Sequence, residues 1–368
     1  MMPDSIPINV PTTIPEAFKK AVARYGDRVA MRKKEFGLWH DISWNAYEEK
    51  VRHVGSALIS MGFEKGDHAA IIGDNCPEWV FTAMGIQCVG GVAVGVYATN
   101  AWHQVEYVVG NSESAFFFVE NEEQLDKWMM FRDKVPHLNR VIVWDTEGLR
   151  KFKDAQVITF DEFLGQGCNV FNEAPDLFQS RSEEVNSEDL AALIYTSGTT
   201  GPPKGRMLSH SNLIWMGDAI TSNNPMYDTD DVMSFLPLCH IFEQLFSILG
   251  HITIGYTVNF IESPDTVMDN MIEISPTVGH AVPRIWEKYY SAVLIRMSDA
   301  TWFKRTVFGL ALKIGNKRAN MIMNFKPVPM NLEFLYQLAC LAVFRKLKKR
   351  IGFDRIRVAY SGAAPISS

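Results

Sequence analysis

The 368-residue sequence predicts an α/β protein made of two successive α/β halves. Three observations lead there. Short apolar strands alternate with helical runs, the pattern of mainly parallel sheets covered by helices. The alternation occurs twice, on either side of a polar stretch from Phe171 to Asp189 that reads as a linker or surface loop. The chain is also longer than a single hydrophobic core ordinarily serves. Residues 1–180 are therefore expected to form the first α/β subdomain and 181–368 the second.

The elements follow in order. Thr13 and Glu16 have capping-box spacing, and Phe18, Ala21, Val22 and Tyr25 share one helical face before Gly26 ends the helix. A second helix follows Ser43, with Tyr47, Val51, Val54, Leu58 and Met61 as its stripe and Gly62 as its stop. HAAII reads as a strand, PEWVFTAMGIQCVGG as a helix with Pro77 at its first position, and VAVGV as the next strand. AFFFV and VIVWD continue the series. Beyond the polar stretch come the strand ALIYT, a helix from Asn212, the strand VMSFL, a helix after His240 and the strand TVNFI. A mostly helical region spans Pro283 to Arg350, and the strand IRVAY precedes the final SGAAPISS.

Composition bounds the function. Hydrophobic residues make up 47% and charged residues 21%, and the net charge of −6 offers no global basic field for nucleic acid. The five cysteines are scattered and form no CxxC, which argues against a disulfide framework and a structural zinc site and favours a reducing compartment. The N-terminus lacks a secretory pattern, and no apolar run approaches the roughly 20 residues of a membrane span. The expectation is a soluble, cytoplasmic protein.

The chemistry concentrates in TSGTTGPPKG, Thr196 to Gly205, directly after a predicted strand. Ligands of open α/β sheets collect at strand ends. This is not a Walker loop, because Lys204 is followed by Gly205 rather than by Ser or Thr. Pro202 and Pro203 have no N–H to offer a phosphate and stiffen the loop instead. Phosphate contacts would come from the N–H groups of Gly198 and Gly201, from the hydroxyls of Thr196, Ser197, Thr199 and Thr200, and from the Lys204 cation. The same residue types also build polar surface turns.

YTSGTTGPPKG resembles the signature of the adenylate-forming enzymes: acyl-CoA synthetases, luciferases and nonribosomal adenylation domains. The resemblance runs from the first helix to SGAAPIS. It implies a large N-terminal domain of two packed α/β subdomains plus part of a β-barrel, followed in the family by a small C-terminal domain. It implies that the loop cradles the β- and γ-phosphates of ATP and that Thr196 helps to hold magnesium. SFLPLCHIFEQ, Ser234 to Gln244, resembles the family's second core motif, and the role carried over is that His240 lines the acyl pocket with Phe242 beside it. A packed structural histidine is the alternative, and a metal site of His240 and Glu243 lacks a third ligand. SGAAP, with Gly362, Ala363, Ala364 and Pro365, matches the turn that packs against adenine.

VGHAVPRIWEK, from Val278, and the basic run Arg345, Lys346, Lys348, Lys349 and Arg350 resemble the long-chain fatty acyl-CoA synthetases. That run suits anionic lipid or CoA phosphates, or else is a solvated helix face. The resemblance implies ATP, magnesium and coenzyme A acting on a fatty acid, with peripheral contact to a membrane. Two departures stand out. The family's later glutamate, aspartate, arginine, hinge and catalytic lysine do not follow Ser368, so an incomplete chain is expected. Arg206 follows the loop where the family has a small apolar residue. A non-catalytic nucleotide- or acyl-binding protein and adenylation of another acid are the competing readings. The second is disfavoured by the apolar segment IFEQLFSILGHITIG, in which Phe242, Leu245, Phe246, Ile248 and Leu249 surround a single acid, Glu243.

Overall fold

Strands form where the apolar runs stand, in a computed structural model that describes residues 11–196, 202–223 and 226–365. The chain divides into two compact units, one up to Pro264 and the other from Asp265.

The first unit opens with α1 (Ile14–Tyr25), the hairpin β1 (Val29–Glu35) and β2 (Leu38–Ser43), and α2 (Trp44–Ser60). Alternation then sets in with β3 (His68–Ile72), α3 (Pro77–Cys88), β4 (Val92–Val96), α4 (Trp102–Asn111), β5 (Phe116–Val119), α5 (Glu122–Met129) and β6 (Arg140–Val143). After β7 (Val157–Thr159) come α6 (Phe160–Glu173), α7 (Pro175–Glu183), β8 (Leu190–Thr196), β9 (Lys204–Ser209) and α8 (His210–Asn223). The unit closes with β10 (Asp231–Ser234), α9 (Ile241–Gln244), α10 (Gly250–Ile254) and β11 (Thr257–Phe260).

The described strands of this unit make two sheets. One has the order β7-β6-β5-β3-β4-β8-β9 and is parallel except for β9. In the other, β10, β11 and β1 run parallel and β2 turns back along β1. Both sheets are open, and no described strands close into the part-barrel that the resemblance implies.

The larger sheet is covered on both faces, which is why β3, β4 and β5 are almost continuously apolar. Val105, Val108, Leu125 and Trp128 of α4 and α5 cover one face, against Ala70, Val94 and Phe117. On the other, Phe118 meets Phe163 of α6 edge-on and Phe116 meets Phe63. A separate aromatic cluster joins α1, α2, α3 and α10, with the His251 ring stacked 4.2 Å from that of fully buried Trp44.

Capping follows the sequence with one refinement. Thr13 accepts a hydrogen bond from the Glu16 N–H, but the Glu16 carboxylate returns to the N–H of Thr12, one residue further out. Ser43 caps α2 through the Ala46 N–H.

The expected linker is not one. Phe171–Glu173 end α6, whose Phe160, Phe163, Leu164 and Gly167 form a buried stripe. Pro175 opens α7, which packs on α2 and α6 through buried Phe178. The stretch is polar because one face of each helix meets water. The boundary expected at residue 180 falls inside α7, and β8 beyond it pairs with β4 before it. The compact units divide instead at Pro264 and Asp265.

The second unit contains α11 (Val267–Ile274), β12 (Val278–Ala281), α12 (Pro283–Ser298), α13 (Trp302–Met323), α14 (Met330–Ala339), α15 (Arg345–Arg350) and β13 (Val358–Ser361). A π-helical turn, Cys340–Phe344, joins α14 to α15, and β12 and β13 pair in parallel.

Candidate active site

Burial along β8 ends abruptly. Ala191 to Tyr195 are buried and Thr196 is exposed, so the strand delivers a hydroxyl to the surface at its carboxyl end. The chain returns as β9 in antiparallel register, with Lys204 opposite Thr196, Gly205 opposite Tyr195 and Arg206 opposite Ile194. Opposed residues share a face, as do residues two apart on one strand. Thr196, Lys204 and Arg206 therefore stand on one face, and both cations are exposed. Arg206 thus adds a second charge to the face that carries Lys204.

Gly205 has a steric reason. A Cβ there would lie 3.2 Å from the Tyr195 ring, which is held in turn by its hydroxyl donating to Asn111 Oδ1 at 2.7 Å. Ser197, Gly198, Thr199, Thr200 and Gly201 lie outside the described residues.

His240 is fixed by capping. It precedes α9, and its Nδ1 accepts the Phe242 N–H at 3.0 Å. That bond makes Nδ1 the acceptor and leaves Nε2 to carry the proton of the neutral ring. Burial lowers the His240 pKa, with nearby Glu243 opposing, so the imidazole is neutral at pH 7.

Glu243 does not join His240 as a metal ligand. It is fully buried, its Oε1 accepts from Ser234 Oγ (2.7 Å) and Ser247 Oγ (2.5 Å), and its Oε2 accepts from the Leu236 N–H. Among the described residues, no group of three His, Cys, Asp or Glu could hold a metal. Asn75 completes this network by donating to Ser234 Oγ and the Leu236 carbonyl while accepting the Leu238 N–H. The carboxylate is therefore spent on shaping the 234–244 segment.

The segment rests on the larger sheet at Gly95, where a Cβ would come within 2.7 Å of the Cys239 Cα. Gly95 pairs with Ile194 of β8. The structure thus brings His240, Thr196 and Lys204 to the carboxyl end of adjacent strands, where open α/β sheets bind ligands. Asn75 and Gly95 were not singled out from the sequence. The glycine inside VAVGV was a legible signal of close backbone approach, whereas nothing local marks Asn75.

A cleft of about 690 Å³ lies beside this segment, lined by Asn75, Tyr97, Cys239, Asp74 and Glu120 among others. Burial raises the Glu120 pKa to about 7. Its acidic side does not suit a hydrocarbon. Of the apolar residues expected around an acyl chain, Phe246, Ile248 and Leu249 are packed inside, and Phe242 and Leu245 are half-buried.

The SGAAP turn belongs to the second unit. Gly362 is half-buried, Ala363, Ala364 and Pro365 are exposed, and Ala363 holds a left-handed backbone at φ 65°. Arg345, Lys346, Lys348, Lys349 and Arg350 are all exposed on α15.

Residues 18–368 match the AMP-binding enzyme family. "Long-chain-fatty-acid–CoA ligase ACSBG2" of Xenopus laevis is 35% identical over 97% of this chain and 48% of its own length. The human protein of the same name is 34% identical over 97% and 53%. The chain spans about half the length of the curated relatives it matches. Among solved structures, the anthranilate CoA ligase AuaEII in complex with anthranoyl-AMP superposes with a TM-score of 0.64 at 18% identity, over 74% of this chain and 50% of that one. The A-PCP didomain of the Segniliparus rugosus carboxylic acid reductase with AMP also gives 0.64 at 18%, over 96% and 49%. By its fold and by this match along almost its whole length, the chain belongs to the AMP-binding enzyme family.

Proposed function

We propose that this chain is the acid-activating part of a long-chain-fatty-acid–CoA ligase. A fatty acid carboxylate oxygen attacks the α-phosphorus of ATP, the bond to the bridging oxygen of the β-phosphate breaks, and pyrophosphate leaves. The acyl-adenylate then passes its acyl group to the thiol of coenzyme A. The observation that carries the reading is the cross-strand pair Thr196 and Lys204 at the strand end that also holds His240. The names of the relatives support the substrate class.

Lys204 and the donors of residues 196–201 would hold the departing phosphates and stabilise charge that grows in the transition state. His240, neutral and with its tautomer set by the Phe242 N–H, would donate from Nε2 to the carboxylate end of the acid. Gly362 to Pro365 would pack against the adenine. A single hydroxyl at Thr196 fits a magnesium ion that keeps most of its ligands from ATP and water. Bound there, the ion would supply neutralisation of the phosphate charge. The buried Glu243, with both oxygens engaged, supports a neutral acid over an amino acid, whose ammonium would need a free carboxylate. The reading places the protein in the cytoplasm with access to membrane surfaces. No described helix is long and apolar enough to cross a bilayer.

ATP–pyrophosphate exchange by the 368-residue chain tests this. Exchange that depends on palmitate is the expected result. Exchange with benzoate or leucine in its place, or ATP binding without exchange for any acid, overturns it.

A further inference from the structure

Arg206 takes no part in the chemistry proposed above, although it shares a face with residues that do. It follows Gly205 at the position where the family resemblance implies a small apolar residue.

Two registers fix where it stands. Gly95 of β4 pairs with Ile194 of β8, and Ile194 pairs with Arg206 of β9, so the three form one row across the sheet. Paired residues point to the same face. The Cys239 backbone rests on that face at Gly95. At about 4.8 Å per strand, Arg206 lies about 10 Å from Gly95, with buried Ile194 between them as an apolar floor. Thr196 and Lys204 form the next row on this face, toward the carboxyl end of β8. Along β9, Lys204 and Arg206 are about 7 Å apart.

Both cations are exposed, and among the described residues neither has a carboxylate partner. Arg28, Arg32, Arg52, Arg132 and Arg318, by contrast, each meet an Asp or Glu within 3.0 Å. Like charges at neighbouring positions of one face repel, and an anion between them relieves that cost. An anion that meets both must span them, which suits linked phosphates better than a single carboxylate. A guanidinium takes phosphate oxygens in pairs, and an ammonium takes them as a point charge.

We infer that Arg206 is a second phosphate-binding residue, which with Lys204 holds the β- and γ-phosphates of ATP and the pyrophosphate that departs. The inference rests on the phosphate site proposed at Thr196 and Lys204 and not on the identity of the acid.

Calorimetric titration of the 368-residue chain with inorganic pyrophosphate and with ATP, in the presence of magnesium, tests it. Arg206→Val should weaken both about ten-fold, the worth of one charge-assisted hydrogen bond. Its affinity for AMP, which lacks the phosphates concerned, should stay that of the parent and so show the fold intact. Arg206→Lys should recover only part of the loss, because the paired contact is gone. If Lys204→Ala weakens pyrophosphate binding and Arg206→Val does not, the phosphate site stands and this inference falls. If the parent binds neither pyrophosphate nor ATP, both fall together. Two other results overturn it as well. Arg206→Val that raises only the KM for palmitate in exchange places the guanidinium at the carboxylate. Arg206→Val that self-associates, with pyrophosphate binding unchanged, assigns the charge to guarding the sheet edge, where β9 is the last described strand.

Discussion

Helices α2 and α13 are both long and both carry tryptophan near their start, yet they live in different solvents. The 17-residue α2 buries nine residues, among them Trp44 at 0% exposure. The 22-residue α13 buries only Phe308 and Ala311, and its Trp302 is 73% exposed. In the first unit most large apolar residues are consumed by packing, with Phe36, Met207 and Trp215 among the exceptions. In the second many of them face outward amid a dense positive charge. A core holds the first helix, and the second leaves most of its side chains outside one.

Truncating the two tryptophans should separate these roles most sharply. Trp44→Ala removes a ring packed against Tyr47 and His251 and should cost about 3–5 kcal/mol. Trp302→Ala should stay within about 0.5 kcal/mol. Urea midpoints of both variants measure the contrast, and equal losses would break it.

Acid should find the first unit as well. His251 is held neutral by burial, its pKa lowered to about 3, and His210 likewise to about 4. Unfolding raises both toward 6.5, so the unfolded chain binds more protons and stability falls as pH drops below 6.5. Each contributes a loss of about 1.4 kcal/mol per pH unit until its folded pKa is approached. Residues 301–350 contain no histidine and add nothing to this slope. Glu120, its pKa raised to about 7, opposes this slope between pH 7 and 5, so the share of His251 is read by difference. Denaturant titrations at pH 7, 6 and 5 should show His251→Gln losing about 1.4 kcal/mol per pH unit of slope relative to the parent.

Cations sharpen the comparison at a finer scale. Lys204→Ala should slow acid-dependent exchange about 100-fold, as loss of one transition-state donor does. Lys304→Ala on α13 should leave the rate unchanged, and similar rates for both would remove Lys204 from the phosphate site. The smallest effect is expected from His240→Ala, a rise of about ten-fold in the KM for the acid with ATP binding intact. If ATP binding falls instead, His240 does not meet the carboxylate.

The sequence made the helices and strands legible where burial is regular. HAAII and VAVGV coincide with β3 and β4, and Ser43 and Gly62 bracket α2. The β1–β2 hairpin escaped because RVAMRKKEFGLWHDIS is rich in charge, and its pairing partners lie more than 200 residues away. The helix α7 escaped because only Phe178 anchors it. Thr196, Lys204 and His240 are candidates from the sequence because each sits in a run whose residue types suit one kind of chemistry. Glu243 and Asn75 show the limit. Their work is to satisfy buried N–H and O–H groups brought in from other segments, and no local pattern encodes that.

Gly205 has a consequence beyond making room for Tyr195. It is the sole glycine between Pro202 and Ser209, so β9 has one position that can stand opposite that ring. Slipping the strand by one residue would press Lys204 or Arg206 against Tyr195 and turn the other positions to the opposite face. Gly205 thus works as an indexing notch. By being empty it selects the one alignment that leaves Lys204 and Arg206 about 7 Å apart on a common face with Thr196. A bulkier residue at position 205 would remove neither cation, but it would shift both at once.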